Sequence, residues 1–284
     1  MKYFMFLNEI GASDSTIVGG KAANLARYYK NNWLVSPAVV IPTTVTKLLP
    51  KLLADNDFLQ ELKAVASQLK ASYFSVRSSA VGEDGITASF AGQFSTELQI
   101  PTNGLVSAIN VCWQNINSVH MQGYRQYQQA TQTTEIAIII QAMVFAKKSG
   151  VIFTVNPVTQ NTDELVIEVI YGVGELLAQG KISPRRYVYH KKRGEITLDQ
   201  VGWQDCQLIA APGNSGLLRQ ELMNKEIDDV LITTAQLKQL IALSSEIEVN
   251  EGCPQDIEWA MDLKGQIFLV QARPITTLSK MELD

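Results

Sequence analysis

Runs of apolar residues alternate along the chain with polar segments, and the spacing inside each run indicates which element it forms. Short β-branched runs bounded by Pro, Gly or polar clusters predict strands, and apolar residues three and four positions apart predict helices. The strands predicted in this way cover residues 36–44, 73–79, 95–100, 135–144, 150–157, 164–172 and 185–191. The predicted helices cover residues 21–30, 45–70, 103–130, 221–230 and 234–249, and the polar region 193–220 receives no assignment. Mixed elements with several antiparallel signals predict an α/β (α+β) fold.

The last predicted element is a β-hairpin over residues 256–276, DIEWAMDLKGQIFLVQARPIT, whose two alternating arms flank an Asp-Leu-Lys-Gly turn. Residues two apart in a strand share a face, so Asp256 and Glu258 form one pair, and Gln271 and Arg273 form another. If the arms pair around the turn, all four side chains meet at one end. Carboxylate and amide oxygens suit Mg²⁺ beside a phosphate bound by Arg273. A structural salt bridge between Arg273 and Asp256 or Glu258 explains the pattern equally well.

Composition narrows the class of protein. The chain has 284 residues, of which 46% are hydrophobic and 18% charged, as is typical of a folded globular protein with one large or two smaller domains. The net charge of −4 gives no electrostatic case for a nucleic acid partner. The apolar start of the chain is too short for a membrane span and lacks a signal cleavage pattern. Three separated cysteines fit no metal spacing and favour a reducing compartment, so we expect a cytoplasmic protein without a membrane partner.

Two upstream segments carry a cation next to residues that suit a phosphate. Lys21 follows two glycines at a predicted helix start, where backbone N–H groups favour anions. Arg77 ends a predicted strand beside two serines and a loop rich in Gly and Ala, which lets backbone approach a ligand closely. Each segment also has a plain structural interpretation: a turn before a helix for Lys21, and a solvated arginine on a surface loop for Arg77.

Other residues with functional side chains give weaker signals. Gln141 and Met143 close a buried strand, and such a strand end could pack against an adenine or simply lead into a turn. Glu175 follows a glycine-rich turn and could cap a helix or face a metal. The two histidines, His120 and His190, have no partner pattern for a catalytic triad or a metal site.

Six segments taken together resemble one family. They read VGGKAANL, VRSSAVGEDGITASFAGQ, QAMV, GVIFTVNP, YGVGELLAQGKISPRRYVY and DIEWAMDLKGQIFLVQARPIT. Their order and spacing, across residues 15–278, are similar to the ATP-binding (PEP/pyruvate-binding) domain of phosphoenolpyruvate synthase, pyruvate phosphate dikinase and rifampicin phosphotransferase. The resemblance implies an ATP-grasp-like fold in which two lobes, residues 1–100 and 101–284, hold ATP and Mg²⁺ at a nucleotide cleft.

The resemblance also implies roles for individual residues. The phosphate-binding residues that would carry catalysis are matched by Lys21, Arg77 and Arg273. The nucleotide-binding positions are matched by Lys21, Arg77, Gly92, Thr96, Gln141, Met143, Glu258, Gln271 and Arg273. The metal ligands are matched by Glu258 and Gln271, with Asp256 assisting. Glu175 matches a family glutamate whose role stays open.

One departure from the family shapes the functional hypothesis. Whole enzymes of this family relay phosphate through a mobile histidine domain, whereas this chain stops soon after ARPIT, and neither of its histidines lies in such a segment. We therefore expect a stand-alone ATP-dependent phosphotransferase component that transfers phosphate from Mg·ATP to a histidine domain on a partner chain, or to a small-molecule acceptor. One alternative is a regulatory or scaffold protein that binds nucleotide without turnover, and another is that the chain is a domain excised from a longer enzyme.

Overall fold

The structure is a computed structural model, and it describes residues 2–82, 96–116, 135–210, 213, 215–223 and 232–276. The chain forms two compact units. The first comprises Met1–Met143 with Gly213–Gly216, and the second comprises Val144–Pro212 with Leu217–Asp284. This division differs from the boundary expected near residue 100, because the strand Ile136–Ala142 pairs inside the sheet of the first unit.

The first unit is built around a five-stranded antiparallel sheet. Its described elements are β1 (Met5–Phe6), α1 (Ser15–Lys30), β2 (Ala38–Ile41), α2 (Thr43–Thr46), α3 (Leu49–Leu52), α4 (Asn56–Gln68), β3 (Tyr73–Ala80), β4 (Thr96–Pro101), α5 (Leu105–Ile116) and β5 (Ile136–Ala142). The strand order is β1-β2-β5-β3-β4, so β3 and β5 lie at its centre.

One face of this sheet forms the hydrophobic core of the first unit. Phe74 and Val76 of β3 and Ile140 of β5 are buried on that face, together with Phe58 of α4 and Ile109 of α5. Side chains alternate between the two faces of a strand. The residues between these core positions therefore point to the opposite face.

The apolar stripe over residues 45–70 predicts one helix, but the structure has three short ones, α2, α3 and α4. Pro50 lies in the first turn of α3, where its missing N–H is tolerated although it could not continue a helix from upstream. Asp55 then caps α4, and its side chain accepts a hydrogen bond from the Phe58 N–H at 3.0 Å. The apolar spacing survives the breaks because all three helices pack on the same core.

The second unit contains a six-stranded antiparallel sheet and a separate two-stranded ribbon. Its described elements are β6 (Ala146–Phe153), β7 (Glu164–Tyr171), α6 (Glu175–Ala178), β8 (Arg185–His190), β9 (Glu195–Gln200), β10 (Cys206–Ile209), β11 (Leu218–Glu221), α7 (Thr234–Glu251), β12 (Gln255–Asp262) and β13 (Ile267–Pro274). The large sheet has the order β13-β12-β6-β7-β8-β9, and β10 pairs with β11. The mixed α/β class predicted from the sequence is confirmed.

The two faces of β12 have different environments. Ile257, Trp259 and Met261 alternate along one face and are buried. Helix α7 packs against this strand, and Gln236 in its first turn contacts the Met261 sulfur at 3.2 Å. The opposite face of β12 therefore carries Glu258 and its alternating neighbours.

The polar region 193–220 contains strands that its sequence pattern does not reveal. Every residue of β9 is exposed, so no buried alternation marks this strand. The ribbon strands β10 and β11 have four residues each, which is short for periodicity analysis. Most of the helix predicted over 221–230, and the second half of the one over 103–130, lie outside the described residues.

Candidate functional site

The two glycines before Lys21 place a kink in α1 where it meets the first sheet. Gly19 has φ 77° and ψ 169° inside an otherwise helical run. A Cβ on Gly19 would lie 2.2 Å from the Ser79 carbonyl oxygen, so only glycine fits. Just beyond the kink, the Ala22 N–H donates a hydrogen bond to Ser79 Oγ at 3.1 Å. The helical segment that carries Lys21 is thereby fixed against β3.

Arg77 lies on the same side of the first sheet as this contact. Its side chain shares a face of β3 with Ser79, two positions along the strand. Arg77 is buried and stands opposite Thr96 of β4 and Ile139 of β5. It is therefore not the solvated loop arginine of the alternative interpretation. The first unit brings Lys21 and Arg77, two predicted phosphate-binding cations, to one side of its sheet.

The strand end that carries Gln141 and Met143 is closed by hydrogen bonds within the first unit. Gln141 is buried, and its Nε2 donates to the Ser36 carbonyl at 3.1 Å, while Ser36 Oγ donates to the Ala142 carbonyl at 2.6 Å. The Met143 N–H donates to the Tyr73 carbonyl at 2.9 Å. The Met143 N–H is thus used inside the protein, and the Gln141 amide links the strand end to Ser36.

The remaining predicted site residues are Thr96, Gly92 and Glu175. Thr96 begins β4 and is exposed opposite Arg77. Gly92 lies outside the described residues. Glu175 is the first residue of α6, and its carboxylate accepts a hydrogen bond from Gln179 Nε2 at 2.7 Å. The residue at the N-cap position of α6 is Gly174, so Glu175 lies in the first turn of the helix and binds a side chain one turn further on.

In the second unit, the C-terminal hairpin has the predicted register. Asp256 stands opposite Arg273, and Glu258 stands opposite Gln271. A β-bulge between Glu258 and Trp259 shifts the register of β12 with β13. The pairs at Asp256 and Glu258 lie on one side of this shift and the rest of the hairpin lies on the other. The four polar side chains therefore meet at one end of the hairpin, on one face of the sheet.

Asp256 and Arg273 form the salt bridge that was the structural alternative for this hairpin. Arg273 Nε and Nη2 both donate to Asp256 Oδ2, at 2.9 and 2.7 Å. Burial raises the pKa of the Asp256 carboxyl, Arg273 opposes the rise, and Glu258 and Glu168 add to it. The carboxylate is thus held in a poorly solvated position next to other acids, and Arg273 compensates it only in part.

The residues around Glu258 fit a magnesium ion that also binds phosphate. Glu258 is half-buried and makes no hydrogen bond or ion pair within the described part of the chain, and the buried amide of Gln271 faces it across the hairpin. Mg²⁺ in nucleotide sites usually takes one or two protein oxygens and completes its shell with phosphates and water. Among the described residues, no group of three or more His, Cys, Asp or Glu side chains could hold a metal alone. The donor set therefore suits a metal that arrives with a nucleotide.

The sequence reasoning missed an ion pair on this same sheet face. Glu168 of β7 stands opposite Val151 of β6, which in turn stands opposite Glu258, and Arg186 of β8 stands opposite Glu168. Arg186 Nε and Nη2 donate to Glu168 Oε1 at 3.0 and 2.7 Å. The alternation in ELVIEVIY indicates which residues share a face with Glu168, but only the strand order shows that Glu258 shares it too.

The other basic residues around β8 are also paired, as expected of charged surface clusters. Lys191 Nζ contacts Glu248 and Lys192 Nζ contacts Asp163, at 2.7 and 2.8 Å. His190 ends β8, and its buried Nδ1 has no hydrogen-bond partner within the described residues. His120 lies outside them.

A concavity of about 710 Å³ in the first unit is lined by residues of α1 and by residues that directly follow β3. Its lining includes Gly20, Arg27, Lys30, Val81 and Gly82. Among the described residues that line it there is no carboxylate, and Lys21 and Arg77 are not part of that lining.

Comparison with known proteins identifies the class to which this arrangement belongs. Residues 42–283 match the family model described as the pyruvate phosphate dikinase, AMP/ATP-binding domain. The match covers most of the chain, so the chain belongs to this family, and the resemblance inferred from six segments is confirmed.

Individual relatives extend the comparison to nearly the whole chain. A probable phosphoenolpyruvate synthase from Methanocaldococcus jannaschii is 29% identical over 99% of this chain and 27% of its own length. One from Pyrococcus horikoshii is 31% identical over 83% of this chain and 30% of its own length. The rifampicin phosphotransferase of a Streptomyces species is 34% identical over 76% of this chain and 25% of its own length. The chain thus spans between 25% and 30% of the length of these three relatives.

Two further observations complete the comparison. D-alanyl-alanine synthetase A from Vibrio cholerae superposes with a TM-score of 0.41 at 11% identity, over 92% of this chain and 56% of that one, which is too distant to carry an argument. Among the helices that the structure describes, none combines the length and the hydropathy that crossing a membrane requires.

The kink at Gly19 yields a prediction about stability. Replacing Gly19 with Ala is expected to cost about 3 kcal/mol or more of unfolding free energy, because it combines a strained φ with a backbone clash against Ser79. Gly82→Ala is the matched control, since Gly82 also has a positive φ (81°) but open space where the Cβ would be. It is expected to cost only about 1 kcal/mol. Equal losses in urea titrations would contradict the close packing of α1 on β3.

The pKa of Asp256 yields a prediction about pH. An unfolded Asp titrates at about 3.9. Because burial raises the pKa in the folded state, the contribution of Asp256 to stability is fully present below the unfolded pKa and is lost as pH rises through the folded pKa. The melting temperature of the wild type relative to Asp256→Asn should therefore increase on acidification from pH 7 to pH 4. The control is Asp199→Asn, because Asp199 pairs with Arg185 and is more exposed.

If the difference in melting temperature between the wild type and Asp256→Asn shrinks on acidification, the raised pKa of Asp256 is refuted.

Proposed function

We propose that this protein is a Mg·ATP-dependent phosphotransferase component that passes a phosphate from ATP to a histidine domain on a partner chain or to a small-molecule acceptor. The observation that carries the proposal is the end of the C-terminal hairpin. There the half-buried carboxylate of Glu258, which has no hydrogen-bond or ion-pair partner among the described residues, faces the amide of Gln271, and Arg273 lies two residues further along the same strand. Membership of an AMP/ATP-binding family supports the choice of nucleotide.

The proposed chemistry needs positioning and charge neutralisation rather than a covalent protein group. Phosphoryl transfer spreads charge over the phosphate oxygens, and fixed cations stabilise that charge. Lys21 and Arg77 would bind phosphate oxygens in the first unit, and Arg273 would do so in the second. Glu258 and Gln271, assisted by Asp256, would hold Mg²⁺, which when bound neutralises phosphate charge. Arg77 is well suited to this role because burial in β3 limits the freedom of its side chain.

The same proposal includes an ATP-grasp-like fold, in which the two compact units correspond to the two lobes. It also includes a cytoplasmic location. Three cysteines that form no disulfide support a reducing compartment: Cys112 and Cys206, which are buried, and Cys253, which is partly buried.

The proposed acceptor lies outside this sequence. His190 lies in strand β8 and is paired with Glu164 of β7. To carry phosphate between sites, it would have to break this strand pairing. The relatives are named as phosphoenolpyruvate synthase and as rifampicin phosphotransferase, so the proposal accommodates either a protein histidine or a small acceptor.

Binding of ATP is the first test. We expect isothermal titration calorimetry to detect ATP in the presence of Mg²⁺, and Glu258→Gln to weaken that binding by about tenfold or more, because it removes the charged metal ligand. Glu195→Gln is the matched control, since Glu195 is an exposed carboxylate on β9 of the same sheet. It should bind ATP like the wild type.

Absence of ATP binding by the wild type would refute the proposal. Equal effects of Glu258→Gln and Glu195→Gln would refute the metal assignment alone. Transfer of ³²P from γ- or β-labelled ATP to partner proteins encoded nearby would then separate a phosphotransferase from a scaffold protein, which binds ATP without transfer.

A further inference from the structure

A row of polar residues continues from the proposed metal ligands across the second sheet. Register places Gln271, Glu258, Val151, Glu168 and Arg186 side by side on five successive strands, β13, β12, β6, β7 and β8. Directly paired residues point to the same face. Neighbouring strands lie about 4.8 Å apart, so the backbones at Glu258 and Glu168 are separated by about 10 Å. Only the small side chain of Val151 stands between the two carboxylates.

The Glu168 carboxylate is held in one orientation. Both donors of Arg186 that contact it go to Oε1, and Oε2 accepts no hydrogen bond from the residues that the structure describes. The Glu168 side chain is 14% exposed and that of Arg186 is 41% exposed. The carboxylate is therefore the more buried partner of this ion pair. The contribution of Glu168 to the raised pKa of Asp256 agrees with its position near the hairpin.

This arrangement suits a neutral hydrogen-bond donor rather than a phosphate or a metal. An ionised carboxylate can only accept hydrogen bonds, and it repels phosphate oxygens. A cation bound at Glu168 would be repelled by the Arg186 guanidinium on Oε1. Hydroxyl groups remain, and carboxylates that accept hydrogen bonds from ribose hydroxyls recur in nucleotide sites.

We propose that Glu168 accepts a hydrogen bond from a ribose hydroxyl of the bound nucleotide and that Arg186 is the residue that positions it. The inference rests on the proposed function, because the ribose belongs to the ATP whose phosphates the hairpin binds. It makes the protein selective for ribonucleotides over deoxyribonucleotides. Glu168 is a specificity-determining contact, whereas Arg186 acts through Glu168.

The test compares the dissociation constants of Mg·ATP, 2′-deoxyATP and 3′-deoxyATP by calorimetry. We expect the wild type to bind at least one deoxy analogue about tenfold more weakly than ATP, as is typical for loss of a charge-assisted hydrogen bond. Glu168→Gln and Glu168→Ala should weaken ATP binding and reduce this ratio to about threefold or less. Both Glu168 variants should bind the deoxy analogue that the wild type binds weakly with nearly the same affinity as the wild type does. A variant that had lost its fold would instead bind ATP and both analogues more weakly.

Arg186 is tested by its effect on the same ratio. Arg186→Gln should lower discrimination, and Arg186→Lys should restore part of it by keeping a cation next to Glu168. The matched control is Arg185→Gln. Arg185 is the adjacent residue on the opposite face of β8, and its Nε and Nη2 bind Asp199 at 2.8 and 2.7 Å. This control should discriminate like the wild type.

Each outcome decides between the two proposals. If the wild type binds ATP and both deoxy analogues equally, or if Glu168→Gln keeps the wild-type ratio, ribose recognition by Glu168 is refuted while ATP binding stands. If Arg185→Gln lowers the ratio as much as Arg186→Gln, Arg186 has no special positioning role. If the wild type binds no ATP, the proposed function and the inference both fail.

Discussion

The register of β12 is the constraint on which the second unit and its candidate site depend. This strand is paired on both sides, with β13 and with β6, so its residues have little freedom to change face. Ile257 and Trp259 must point to the buried side, and Asp256 and Glu258 must then point to the other. A slip of one residue would bury both acids against α7 and expose Trp259. The same hydrophobic burial that stabilises the sheet therefore positions the acidic residues.

The acids on that face are not fully compensated by the protein itself. Burial raises the pKa of Asp256 although Arg273 donates two hydrogen bonds to it, and Glu258 has no partner among the described residues. Perturbed pKa values cluster at functional sites, although structural ion-pair networks also shift them. In the first unit, considered by itself, buried Arg77 and the α1 segment that carries Lys21 lie on one side of the sheet.

The hairpin and the α1 kink could be predicted from the sequence because their signals are local. Strand alternation near residues 256–273 and two glycines before Lys21 are enough. The Glu168–Arg186 pair could not be predicted, because it depends on β6 lying between β12 and β7, and strand order is not encoded in any single segment. The contact-based division between the units could not be predicted for the same reason, since β5 pairs with a strand more than fifty residues earlier in the chain. The helix breaks at Pro50 and Asp55, by contrast, have local causes in the sequence. The prediction of a single helix over residues 45–70 gave more weight to the apolar periodicity than to these two residues.

The charges on the polar face of the second sheet also bear on the order in which ligands bind. The carboxylates of Asp256, Glu258 and Glu168 lie on this face together with the guanidinium groups of Arg273 and Arg186. Arg273 and Arg186 each bind one of these acids, whereas Glu258 makes no hydrogen bond or ion pair with any described residue. A nucleotide triphosphate without a metal would bring more negative charge to this carboxylate, at a Coulombic cost that partial burial increases. In the proposed function, magnesium and nucleotide therefore bind as one species, and Glu258 is the residue that makes binding of the free nucleotide unfavourable.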